Sequence, residues 1–95
     1  MNTKQISNGT MDVAGKSYHL KCNIRAIVLF EKMTDKPFTL ACTTDWVIFL
    51  YAMLLSGTPG ATITLDEFMD DISQQQLHQA TIWASEQMKN EEKTV

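Results

Sequence analysis

Arginine is almost missing from this chain: Arg25 is the only one in 95 residues. Eight basic side chains stand against eleven acidic ones, for a formal net charge of −3. The basic stripe with which nucleic-acid binders neutralise phosphates is therefore absent, and docking to an anionic membrane surface is disfavoured on the same ground. Cysteine is scarce: Cys22 and Cys42 are too few for the disulfide framework of a small secreted domain. The longest apolar run, Trp46 to Leu55, has ten residues, where a bilayer span needs about 20. The opening MNTKQISNGT has no apolar core of a secretion signal. No Gly-rich phosphate loop and no G-x-S-x-G elbow occurs, and there are no repeats. These absences lead us to expect a soluble cytoplasmic protein, no nucleic acid, no membrane and no cofactor.

What the chain does have is the composition of a single globular domain, 44% apolar and 20% charged. The expected organisation is a flexible terminus over 1–9, one domain over 10–90 and a polar tail over 91–95. Met11 and Val13, then Tyr18, Leu20 and Cys22, alternate with polar residues around Ala14-Gly15. That period of two predicts a β-hairpin, with strands over 10–14 and 17–22. Asn23 is a good N-cap, and the spacing of Ile24, Ile27 and Val28 predicts a helix over 23–34, stopped ahead of Pro37. In the connector, Phe38 and Leu40 are expected to tuck inward. Thr44 is the expected cap of the next helix, with Asp45 complementing its positive end. WVIFLYAMLL is apolar on every side, as in a centrally buried helix or a buried strand; its length and its Ala-Met-Leu-Leu ending favour helix. Ser56-Gly57-Thr58-Pro59-Gly60 stops it. Thr64 with Glu67, and Ser73 with Gln76, each fit a capping box. They predict a short helix over 65–72, carrying Leu65, Phe68, Met69 and Ile72 on one face. A last helix over 74–90 follows, with a stripe of Leu77, Ala80, Thr81, Ala84 and Met88. The expected fold is mainly α, about four helices packed as a small bundle with a short N-terminal β-hairpin.

Few groups could carry chemistry. His19, Cys22, Cys42 and His78 are zinc-type ligands, but only the first two are close in sequence, and they fall on opposite faces of a strand. The same residues offer a Cys–His pair without any local sign of an activated thiolate. Asp66, Glu67, Asp70 and Asp71 lack the glycine and terminal glutamate of a calcium loop; they suit the positive end of a helix, or a docking patch. Gln74, Gln75, Gln76 and Gln79 form a polar face. No catalytic, cofactor or metal residue emerges, so binding rather than catalysis is expected. Trp83, Ile82 and Met88 on the last helix, with Met69, are the candidate partner contacts, since Trp is enriched at interface hot spots and Met adapts its shape.

One resemblance sharpens this. The run GKSYHLKCNIRAIVLFEKMTDKPF resembles the opening of siphophage tail assembly chaperones, in which a G-K-x-Y-x-L-K strand pair leads into I-R-A-I-x-x-F-E-x-x-T-x-K-x-F. Here that is Gly15, Lys16, Tyr18, Leu20 and Lys21, then Ile24, Arg25, Ala26, Ile27, Phe30, Glu31, Thr34, Lys36 and Phe38. The likeness continues through the apolar helix DWVIFLYAMLLSG and the T-L-D-E-F segment Thr64 to Phe68, covering residues 11–90. It implies a small protein of the bacterial host cytoplasm, encoded ahead of the tape measure gene. Such a protein binds the tape measure protein, keeps it soluble and tends to form homo-oligomers. A longer, frameshifted form would recruit tail tube subunits, and this chain would be the short form. The rival expectations are a small dimeric adaptor or inhibitor of another phage or host protein, a small metal protein or enzyme, and a small DNA-binding helical protein.

Overall fold

The computed structural model describes the backbone of residues 9–93 and the side chains as far as Lys89. Two antiparallel strands, β1 (Thr10–Val13) and β2 (Lys16–His19), are followed by α1 (Ile24–Thr34), α2 (Thr43–Gly57), α3 (Leu65–Asp71) and α4 (Gln74–Lys93). This is the expected mainly α fold with an N-terminal hairpin. The expected flexible stretch at 1–9 lies outside the described residues except for Gly9, which is buried and whose carbonyl accepts from Leu20 N at 2.6 Å.

In the hairpin, Met11 pairs with Tyr18 and Val13 with Lys16. Ala14 and Gly15, at φ 52° and 80°, close it as a two-residue turn with both central residues left-handed. Met11, Val13, Tyr18 and Leu20 all point into the core. The second strand ends at His19 rather than at 22. There Lys21 N turns away to donate to Met53 O of α2 at 3.1 Å, so the hairpin is bonded to the helical layer.

α1 starts where expected. Asn23 Oδ1 accepts from Ala26 N at 3.0 Å, and Asp35, left-handed at φ 57°, ends the helix two residues before Pro37. The start of α2 differs from the expectation. Thr44 is not its cap: the helix begins at Thr43 with Cys42 in the cap position and no capping side chain. Asp45 instead folds its carboxylate back to accept from Ala41 N, holding the incoming chain at 3.0 Å. α2 is the central element. Phe49 through Leu54 are six consecutive buried residues, so the helix is covered all round, and the competing strand reading does not hold. Phe38 and Leu40 pack on the core, and Phe30, Phe38 and Phe49 meet edge to face with centroids 4.9–6.2 Å apart. Both capping boxes form: Thr64 with Glu67 at 2.9 and 3.1 Å, Ser73 with Gln76 at 3.0 and 3.1 Å. α4 runs three residues past the expected 90, into the expected tail, because Glu91-Glu92-Lys93 are good helix formers with no Gly or Pro to stop them.

Candidate functional site

Four helices and a hairpin of this size leave one part of α2 thinly covered. α1 runs back along α2, from Asn23 beside Ser56 to the Lys36–Asp45 pair at its first turn, and the hairpin meets its C-terminal part at Met53 and Gly57. The side of its first turns turned away from Asp45 faces the seven-residue α3 and the start of α4. The result is an open apolar groove of about 440 Å³. Val47 and Ile48 form its α2 wall, and Leu65 and Met69 its α3 wall. Ile72 and Leu77 floor the junction of α3 with α4, and Thr43, Thr44, Ser73 and Gln74 edge it. Each capping box fixes one wall of the groove, because it sets where a helix begins and hence which residues face inward. Met69 remains 47% exposed there, a large thioether lying against apolar neighbours with one side in water.

A second apolar surface lies on α1. Ile24 and Val28, one helical turn apart, are 77% and 41% exposed, while Ala26 and Phe30 on the opposite side are buried. Among the described residues, two groups titrate away from their ordinary values. The ammonium of Lys36, 2.8 Å from Asp45 Oδ1, lowers the pKa of that carboxyl, and the amide of Ala41 adds to the effect. Tyr51 donates to Ile63 O at 2.6 Å; burial first, and the charge of Glu67 second, raise its phenol pKa. Both groups anchor loops, Asp45 the segment entering α2 and Tyr51 the one entering α3.

Of the four candidate contacts, the structure places Met69 in the groove and the others elsewhere. Ile82 is 48% exposed on the outside of α4. Trp83 is half-buried against the start of the hairpin, where a Cβ built on Gly9 would stand 3.0 Å from Trp83 Cζ2. Met88 is half-buried further along. At about 100° per residue, Ile82, Trp83 and Met88 point in three directions around α4 and form no common face. The zinc-type ligands are also apart. Cys42 precedes α2 and His19 is bonded to Thr58 beyond its other end, about 22 Å along a 15-residue helix. Among the described residues no three His, Cys, Asp or Glu side chains are grouped to hold a metal, and no helix is long and apolar enough to cross a membrane. Of the acidic cluster, Glu67 serves the capping box and Asp71 accepts from Ala14 N at the hairpin tip, while Asp66 and Asp70 are exposed on α3.

The groove itself was not singled out by sequence reasoning. The signal available was a mismatch: WVIFLYAMLL is apolar all round, but the helix that follows is too short to cover its first turns. Comparisons with protein-family models, with curated proteins and with solved structures find no match to this chain.

Proposed function

We propose that this chain is a non-enzymatic phage tail assembly chaperone of the bacterial host cytoplasm. It binds the tape measure protein and keeps it soluble until the tail tube forms, and a longer frameshifted form helps recruit tube subunits. The observation that carries the reading is the open apolar groove between α2, α3 and α4. A tape measure protein is a long helical chain whose apolar stripe has no cover before assembly. A groove lined by Val47, Ile48, Leu65, Met69, Ile72 and Leu77 suits a turn or two of such a helix. Many copies along one chain gain avidity from multivalency, so each contact can stay weak enough for tube subunits to displace it.

The test is co-expression with the tape measure reading frame of the same genome. Wild-type chain is expected to keep that protein in the soluble fraction, and Met69→Asp, which places a charge in the groove from an exposed position, to lose this effect while its circular dichroism stays unchanged. A tagged pull-down from a phage-active lysate that recovers one compact host protein and no tape measure protein overturns the reading in favour of an adaptor or inhibitor.

A further inference from the structure

A second concavity, of about 410 Å³, lies between the hairpin and α3. α3 divides it from the groove: Leu65 and Met69 line the groove, while Glu67, Asp70 and Asp71 line this cleft. Tyr18 of β2 and Ile63, both buried, form its floor, and the exposed Lys16 stands at its edge. Three carboxylates against one ammonium leave the cleft negative, and among the described residues none of the three has an ion-pair partner. Glu67 Oε1 accepts from Thr64 N and Asp71 Oδ2 from Ala14 N, while Asp70 is exposed.

Acidic side chains on a short helix are explained by the helix itself, so the cluster alone points to no ligand. Tyr18 does. It is only 8% exposed, it lines the cleft, and its hydroxyl has no hydrogen-bond partner among the described residues. Tyr51, equally buried, donates to Ile63 O at 2.6 Å. A hydroxyl buried without a bond is costly, and folded proteins pair nearly all such groups. The phenol oxygen and the three carboxylates can all accept from N–H donors.

We propose that the cleft binds an arginine side chain of the partner chain, with the guanidinium among Glu67, Asp70 and Asp71 and one N–H donating to the Tyr18 hydroxyl. The Tyr18 ring and Ile63 then cover its methylene stem. Arginine fits better than lysine, because five N–H donors spread in one plane serve separated acceptors together, whereas an ammonium is a compact point charge. A metal ion does not fit, since among the described residues no three such side chains are grouped to hold one. The source of the arginine rests on the reading of the groove as the binding site: only α3, about 10 Å across, separates the two, so a chain seated in the groove can reach over it. The partner is thereby read twice, by its apolar stripe in the groove and by a basic residue beside that stripe in the cleft. Rising salt weakens the second contact, because the carboxylates are open to solvent.

An NMR titration of the full chain tests this with a capped pentapeptide, one arginine between two pairs of alanines, and with its lysine and citrulline counterparts. The amides of Ala14, Thr62 and Ile63 are the reporters, since they border the cleft. The arginine peptide is expected to shift them with a dissociation constant of about 1 mM or lower, the lysine peptide to bind more weakly and the citrulline peptide not at all. Tyr18→Phe keeps the ring and removes the hydroxyl, and should weaken the arginine peptide about tenfold, as the loss of one bond to a charged group implies. Asp70→Asn, at an exposed position, should weaken it about threefold; Glu67 and Asp71 are left in place because the fold uses both. No saturable shift by about 10 mM, equal binding of the citrulline peptide, or Tyr18→Phe binding as wild type does overturns the proposal. Agmatine, a free guanidinium cation, binding far more tightly than the peptide would give the cleft to a small molecule and overturn it too. The solubility assay separates this from the chaperone reading. If the arginine peptide binds as expected but the chain does not solubilise the tape measure protein, the chaperone reading fails and the arginine site stands. If the tape measure protein is kept soluble but no peptide binds, the reverse holds.

Discussion

At the C-terminal end of α2, three segments distant in sequence are tied by polar contacts. Ser56 donates to Asn23, Thr58 Oγ1 both accepts from His19 N and donates to His19 O, and Lys21 N donates to Met53 O. At the N-terminal end, Asp45 holds Lys36 and Ala41 on one side, while on the other Val47 and Ile48 face Leu65, Met69 and Leu77 across open space. The closed end fixes the geometry through directional bonds. The open side of the other end keeps apolar surface that packs on the core with one side and meets the groove with the other. On the proposed reading the protein must fold alone and also cover another chain's apolar stripe; that needs both kinds of surface, and a single central helix carries both here.

Breaking the closed end should cost most at Gly57. A Cβ there would stand 2.3 Å from His19 O and 2.7 Å from His19 C, and these are backbone atoms that cannot rotate aside. Gly57→Ala must push the hairpin off α2, and it is expected to destabilise by about 3 kcal/mol, the upper range for overpacking. A fall in the urea midpoint with unchanged slope measures it; a loss under about 0.5 kcal/mol would show that the hairpin is not seated there.

Asn23→Ala should come next. It removes the cap on Ala26 N and also leaves Ser56 Oγ without its acceptor, for a loss of about 1–2 kcal/mol. Asn23→Ser keeps a capping oxygen but is too short to hold Ser56 as well, so it should recover only part of the loss in the same denaturation series. Full recovery would mean that the bond to Ser56 contributes nothing.

These two positions also show what was legible in the sequence. Asn23 as a cap, and both capping boxes, could be read because each bond spans three residues. The tie from Asn23 to Ser56 spans 33 and is made only by the packing of α1 on α2. Thr44 was misread for a related reason: a capping residue type in the right place loses its role when a neighbouring carboxylate, Asp45, already holds the incoming chain at Ala41. Within the site, Met69 was legible as an apolar residue on a short helix. The groove around it was not, since it is set by what fails to cover α2. Trp83 is half-buried with its ring beside Gly9, a contact between distant parts of the chain that no local spacing reveals.

The next effect is smaller, because Lys36 is 42% exposed and its pairing with Asp45 is partly screened. Its signature is the pH dependence. The pKa of Asp45 is depressed in the fold, chiefly by the hydrogen bond from Lys36. Its contribution is therefore fully present above the unfolded carboxylate value of about 3.9, and it is lost as the pH falls through that value and then through the lower folded one. Melting curves of wild type and Asp45→Asn should differ at neutral pH and converge in acid. A difference that stays constant with pH would assign the effect to packing instead of charge.

The smallest expected effect is a gain. Ala14 holds φ 52° at the hairpin tip, a left-handed conformation that strains any L-residue with a Cβ, and its amide donates to the carboxylate of Asp71 on α3. Ala14→Asn keeps that amide and supplies the Asn-Gly pair that such turns favour, for an expected stabilisation of about 0.5–1 kcal/mol. Ala14→Gly relieves the same strain but gives the unfolded chain more freedom, so it should gain less. The order Asn, then Gly, then Ala in urea midpoints would show that the turn is strained in the fold. If Ala14 proved as stable as Asn, residue 14 would not be held left-handed, and the hairpin would close by another turn.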